Sequence, residues 1–144
     1  MTHPGKLQGI VDSLRSLERQ DRIDALISIA DRYQPVPPEV ASRPFEESAR
    51  IPACESEAFI WAIGQPPGSL KYYFAVENPQ GISAKALAAI LDETLPGMSL
   101  AEIASLSDDV VFEIFGNELS MGKTMGLTGM INMVRSAAKR RAAK

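Results

Sequence analysis

Phe59-Ile60-Trp61-Ala62-Ile63-Gly64-Gln65-Pro66-Pro67-Gly68-Ser69-Leu70-Lys71-Tyr72-Tyr73-Phe74-Ala75-Val76 is the stretch whose periodicity decides the fold. Phe59, Trp61 and Ile63 alternate with Ala58, Ile60 and Ala62, so the first strand is apolar on both faces and must be central or covered by helices. Gln65-Pro66-Pro67-Gly68 turns the chain. Leu70, Tyr72, Phe74 and Val76 then alternate with Lys71, Tyr73, Ala75 and Glu77, the period of two of a strand with one buried face. The two strands predict an antiparallel hairpin. A hairpin alone is marginally stable, so it needs a third strand or a helical cover. Glu46 to Ile51 is read as a short edge strand that can serve as the third.

Toward the N-terminus, Leu7, Ile10, Val11, Leu14 and Leu17 recur at three- and four-residue steps and define one face of a helix. Asp21 is read as the cap of a second helix whose apolar face carries Ile23, Leu26, Ile27, Ala30 and Tyr33. Prolines at 35, 37, 38 and 44 forbid regular helix beyond it and make a connector across the surface.

Toward the C-terminus, Ser83 is read as an N-cap with Ile82 and Leu87 as its hydrophobic staple, and that helix runs to about Leu95. Ser99-Leu100-Ala101-Glu102 has the spacing of a capping box. Ser107-Asp108-Asp109 opens a short helix that Gly116 closes. The last helix carries Leu127, Ile131, Val134 and Ala138 on one face, and its basic end at Lys139, Arg140, Arg141 and Lys144 is expected to stay solvated. Gly122, Gly126 and Gly129 are read as allowing close approach of a neighbouring element. A phosphate loop is the weaker reading, because Asn117 stands where such a loop needs its upstream glycine. The sum is an α+β fold with a small antiparallel sheet of about three strands packed against N- and C-terminal helices. A single domain over 1–144 is expected, with 1–6 and 140–144 frayed.

Composition narrows the function. The 144 residues carry a formal charge of −3, which argues against a general nucleic-acid binder. No apolar run approaches the roughly 18 residues of a spanning helix, and the first residues do not read as a secretory signal, so a cytoplasmic protein off the membrane is expected. One cysteine excludes an internal disulfide, and one histidine, His3 in the end expected to fray, offers little for a metal site or a Cys-His nucleophilic pair. No cofactor site is recognised.

Arg50-Ile51-Pro52-Ala53-Cys54-Glu55-Ser56-Glu57 leads into the first strand, so Cys54 falls on a proline-bearing polar loop rather than inside an apolar run. A lone cysteine is commonly a small buried hydrophobe, whereas this setting suits a reactive thiol. Glu55 and Glu57 disfavour a thiolate if they point at it, and Arg50 and Lys123 are the candidate cations to offset them. A thiolate there can attack a sulfane sulfur by the chemistry of thiol-disulfide exchange.

The order of two helices, a proline-bearing connector, a small-residue-Cys-x-Ser segment opening a strand, a hairpin and closing helices resembles the SufE family from about Leu7 to Lys139. The resemblance rests most on Ile51-Pro52-Ala53-Cys54-Glu55-Ser56, on Leu87 to Leu95, and on Leu119-Ser120-Met121-Gly122-Lys123-Thr124-Met125-Gly126-Leu127. It implies a sulfur-carrier protein in which Cys54 accepts a persulfide sulfur from a SufS-like cysteine desulfurase, stimulates that enzyme, and passes the sulfur on for iron-sulfur cluster assembly. The partner, not this chain, would hold pyridoxal phosphate, and an iron-sulfur scaffold complex is the implied acceptor. Lys123 falls where the family usually has arginine, and it keeps the charge but loses the bidentate fork. Ala53, Glu55 and Phe59 stand where the family has glycine, glutamine and tryptophan. The alternative is a regulatory module that docks to a partner while Cys54 is only structural; a free-standing thiol hydrolase is less favoured, since no histidine is placed to act as base.

Overall fold

The computed structural model describes residues 3–52, 54, 56–117 and 119–143. In chain order the elements are α1 (Gly5–Arg15), α2 (Arg19–Ala30), a 3₁₀ turn (Glu47–Ala49), β1 (Ala58–Gln65), β2 (Ser69–Val76), α3 (Ile82–Thr94), α4 (Leu100–Ala104), α5 (Asp109–Phe115) and α6 (Met121–Ala142). The fold is α+β, as the patterning predicts. β1 and β2 pair antiparallel over their full lengths, with Ala58 opposite Val76, Ile60 opposite Phe74 and Gln65 opposite Ser69.

The described residues form two strands rather than three. Glu46 to Ile51 holds a 3₁₀ turn, Glu47–Ala49, and touches the sheet through one bridge, Arg50 to Phe59, and through the Ile51 amide donating to the Ala58 carbonyl at 2.9 Å. Pro52 follows at once and has no N–H to continue a ladder. The third strand is therefore cut off as it begins.

Alternation along the hairpin splits the interior in two. Ala58, Ile60, Tyr72, Phe74 and Val76 face the main core, which they share with the buried sides of α1, α2, α3, α5 and α6. Phe59, Trp61 and Ala75 face the other way, under Val36, Val40, Ala41 and Phe45 of the connector. The proline segment is thus a lid on the sheet's second face and not merely a path across the surface. Phe45 sits 5.1 Å from Phe59 and 5.0 Å from Trp61, centroid to centroid, within the range of favourable aromatic pairs. That cover explains why β1 reads as apolar on both faces.

Several local expectations shift by a residue or a face. Asp21 lies in the first turn of α2 and not at its cap, which is Glu18. The buried face of α2 is Leu26, Ile29 and Ala30, while Ile23 and Ile27 are exposed, because only one side of the helix meets α3. Gly81, not Ser83, caps α3, and Ile82 is exposed rather than stapled to the buried Leu87.

The capping box of α4 forms as expected. The Glu102 amide donates to Ser99 Oγ at 3.1 Å and the Ser99 amide donates to Glu102 Oε1 at 2.9 Å. Ser99→Ala should lower stability by about 1 kcal/mol, read as a fall in the denaturant midpoint with an unchanged slope. Gly116 ends α5 at φ +78°, a conformation that favours glycine.

The described residues of the two segments expected to fray make contacts with the rest of the fold. The His3 side chain is buried, and its Nε2 lies 2.8 Å from Glu113 Oε1 on α5. At the other end α6 stays helical through Ala142, and Arg141, read as solvated, is half-buried. Its guanidinium donates to the Gln65 carbonyl at 3.2 Å and occupies the space beside Gly64, whose missing Cβ would lie 2.9 Å from Arg141 Nη1. Lys144 lies outside the described residues.

Candidate functional site: the Cys54 loop and the start of α6

The loop from Ile51 to Glu57 is tied down at both ends by backbone hydrogen bonds. Ile51 bonds Ala58 at its base, and the Glu57 amide donates to the Cys54 carbonyl at 3.3 Å, closing a tight turn. From the far side of the hairpin the Glu77 amide donates to the Glu57 carbonyl and the Asn78 amide to the Ser56 carbonyl, each at 3.1 Å. Glu57 has φ +51°, a left-handed conformation uncommon outside glycine, which reverses the chain between the cysteine and β1.

The carboxylate of Glu77 steadies the same corner. Arg43 donates Nε and Nη2 to its two oxygens at 2.8 Å each, and that guanidinium holds the Glu77 carboxyl below the usual carboxylate range. A carboxyl that binds its proton more weakly folded than unfolded contributes stability above the unfolded value and loses it as the pH falls through the folded one. Arg43→Ala should lower stability only slightly at neutral pH, because the arginine is largely exposed and its pair is screened by water. Urea titrations should show that small difference shrinking as the pH falls below about 4, where carboxylates protonate.

Small residues form the bed on which the loop lies. A Cβ on Gly126 would stand 3.0 Å from Cys54 Cα and 3.3 Å from its Sγ. A Cβ on Gly129 would stand 3.1 Å from Ile51 Cγ2 and 3.2 Å from the Pro52 carbonyl oxygen. The close approach predicted for these two glycines is therefore real, and the element that approaches is the cysteine loop. Gly81, which caps α3, is packed as tightly: its missing Cβ would lie 2.9 Å from Ser56 Cβ and Oγ and from Val76 Cγ1.

Cys54 is half-buried and packs against the main core. With Gly81, Ser83, Gly122, Lys123 and Gly126 it lines a cavity of about 150 Å³. Lys123 belongs to the first turn of α6, where its own amide donates to Ser120 Oγ at 3.2 Å and exposed N–H groups add their positive end. The two site residues expected from sequence, Cys54 and Lys123, thus share one cavity. Arg50 does not join them; its guanidinium sits 4.7 Å from the Phe59 ring centroid and pairs with Glu47 at 3.1 Å. Ala53 and Glu55, where the sequence departs from the family pattern, lie outside the described residues. Among the described residues no cluster of three or more His, Cys, Asp or Glu side chains could hold a metal ion. Among them, too, no helix is long and apolar enough to cross a membrane.

The arrangement defines a class: a small α+β protein that presents one thiol from a backbone-pinned loop, over a glycine-lined cavity with a lysine at its edge. The chain belongs to the SufE family, since the model of the SufE Fe-S metabolism associated domain matches residues 8–138. Membership associates it with iron-sulfur metabolism. Its fold is similar to the solution structure of a hypothetical protein from Thermus thermophilus, with a TM-score of 0.75 at 23% identity over 99% of this chain and 100% of that one. No curated protein matches it by sequence.

Proposed function

We propose that this chain is a sulfur carrier that works on Cys54. The Cys54 thiolate attacks the terminal sulfur of a cysteine persulfide on a cysteine desulfurase. A sulfur-sulfur bond forms at Cys54, the partner's sulfur-sulfur bond breaks, and the partner's thiolate leaves with the electron pair. No oxidant or reductant is consumed. The sulfur then passes from Cys54 to an acceptor in iron-sulfur cluster assembly by the same exchange.

The observation that carries this reading is the shared cavity of Cys54 and Lys123. Its volume of about 150 Å³ is well above what one added sulfur atom requires. Gly126 and Gly81 let the cysteine loop lie this close, since a Cβ on either would press on Cys54 or Ser56. Lys123 and the first turn of α6 bring positive charge to the rim, the sign that stabilises a persulfide anion. Half-burial would also shield that anion from oxidants between donor and acceptor. Docking would then have to lift or open the loop.

The packing of Cys54 on the core favours a second reading, in which the thiol is structural and the chain stimulates its partner by docking alone. Desulfurase turnover separates the two. With cysteine as substrate, wild type should stimulate alanine formation and Cys54→Ser should not; equal stimulation by both would leave the docking module.

A further inference from the structure

A second, larger cavity of about 590 Å³ lies between the core-facing side of the hairpin and α6, and neither Cys54 nor Lys123 lines it. One wall is Ile60, Ala62 and Tyr72. The other is a helical stripe at four-residue steps, Met125, Gly129, Met133 and Ala137. From Met125 to Arg140 the wall is about 22 Å long at 1.5 Å per residue, the length of a peptide segment rather than of a small ligand. It opens to solvent along Asn132 and Ser136, both exposed.

Its two ends differ in chemistry. Toward one end it is lined by Pro52, at the base of the cysteine loop, and by Gly129 of α6, where a Cβ would already press on Ile51 and the Pro52 carbonyl. At the other stands Arg140, exposed, with no carboxylate paired to it among the described residues, beside the exposed Lys139. Tyr72 and Arg140 both line the groove, and the Tyr72 hydroxyl is held up at about 12 by burial, which outweighs the opposing charge of Arg140. An apolar trough with an unpaired cation at one end asks for a segment with an apolar side chain and a carboxylate. With Met133 and Arg140 seven residues apart on the helix, those groups stand about 10 Å apart.

We propose that this groove receives an acidic, partly apolar segment of the sulfur-donating desulfurase, seated between the hairpin and α6 with its carboxylate on Arg140. The inference rests on the carrier reading for the partner's identity. It adds a consequence: the occupant abuts Pro52, two residues from Cys54, so docking and loop opening are coupled through direct contact.

Ser136→Trp fills the mouth of the groove from an exposed position, and Arg140→Glu reverses its charged end. The affinity of each variant for the organism's own cysteine desulfurase can be measured by calorimetry at low salt, with melting temperatures confirming that both variants fold. Each should weaken binding by about tenfold or more. Dissociation constants within about twofold of wild type for both would overturn the proposal. So would loss of self-association on sedimentation with desulfurase binding intact, which would make the occupant a second copy of this chain. Sulfur uptake by wild type in the same samples tests the carrier reading separately. Weakened variants beside a wild type that takes no sulfur would keep the groove and remove the carrier.

Discussion

Gly126→Leu should drive the Cys54 loop off α6 and leave the thiol open to solvent. The helix cannot yield instead, because Leu127, Met130 and Ile131 on its neighbouring positions are fixed in the core. Even a Cβ would stand 3.0 Å from Cys54 Cα, tighter than nearly all real contacts, and three further carbons have no space at all. Overpacking of this kind costs about 1–3 kcal/mol. Alkylation of Cys54 by iodoacetamide should accelerate on the order of tenfold, since access governs thiol reactivity here. Gly126→Ala should be milder, as the roughly 1 kcal/mol gained in helix propensity offsets a loop shift of a few tenths of an ångström. An unchanged alkylation rate in Gly126→Leu would contradict the bed described for the loop.

The other large effect is expected at Ile51, which is 1% exposed and anchors the loop's base in the main core. Ile51→Ala removes three buried carbons and should cost about 2–5 kcal/mol. It also removes the Cγ2 atom that lies 3.1 Å from the empty Cβ position of Gly129. Gly129→Ala, unfavourable alone, should therefore cost less when Ile51 is already Ala, a coupling that neighbouring sites show and distant ones do not. Chemical denaturation of the four chains of that cycle tests it, and strict additivity would show that the two residues do not meet.

Features set by neighbouring residues are legible without the fold. The hairpin announces itself by alternation, the α4 cap by Ser99 and Glu102 three apart, and the end of α5 by Gly116. The cysteine loop is legible too, because Pro52 and polar residues stand just ahead of the apolar run of the first strand. What escapes depends on which distant segments meet. His3 and Glu113 are 110 positions apart, and nothing near His3 marks it as buried. The connector's role as a lid emerges only when Phe45 folds back onto Phe59 and Trp61.

The site divides in the same way. Cys54 is singled out by its surroundings, and Lys123 by the family resemblance, yet their common cavity follows from the loop lying across Gly126. Arg50, four residues from the cysteine, is an equal candidate for the cation on sequence alone. It is drawn instead onto the Phe59 ring and Glu47, a choice that sequence proximity could not express. Gly81 goes unread because its signal, a glycine before a helix, is the same whether it merely turns the chain or leaves room for Ser56.

The most direct test weighs the protein after exposure to the sulfur donor. Wild type and Cys54→Ser are incubated with the desulfurase and cysteine, then separated and measured by intact-mass spectrometry without reductant. Wild type should gain the mass of one sulfur atom, lost again on treatment with dithiothreitol, and Cys54→Ser should gain none. A wild type of unchanged mass, or a Cys54→Ser protein that gains the same sulfur, would contradict the assignment of Cys54 as the carrier.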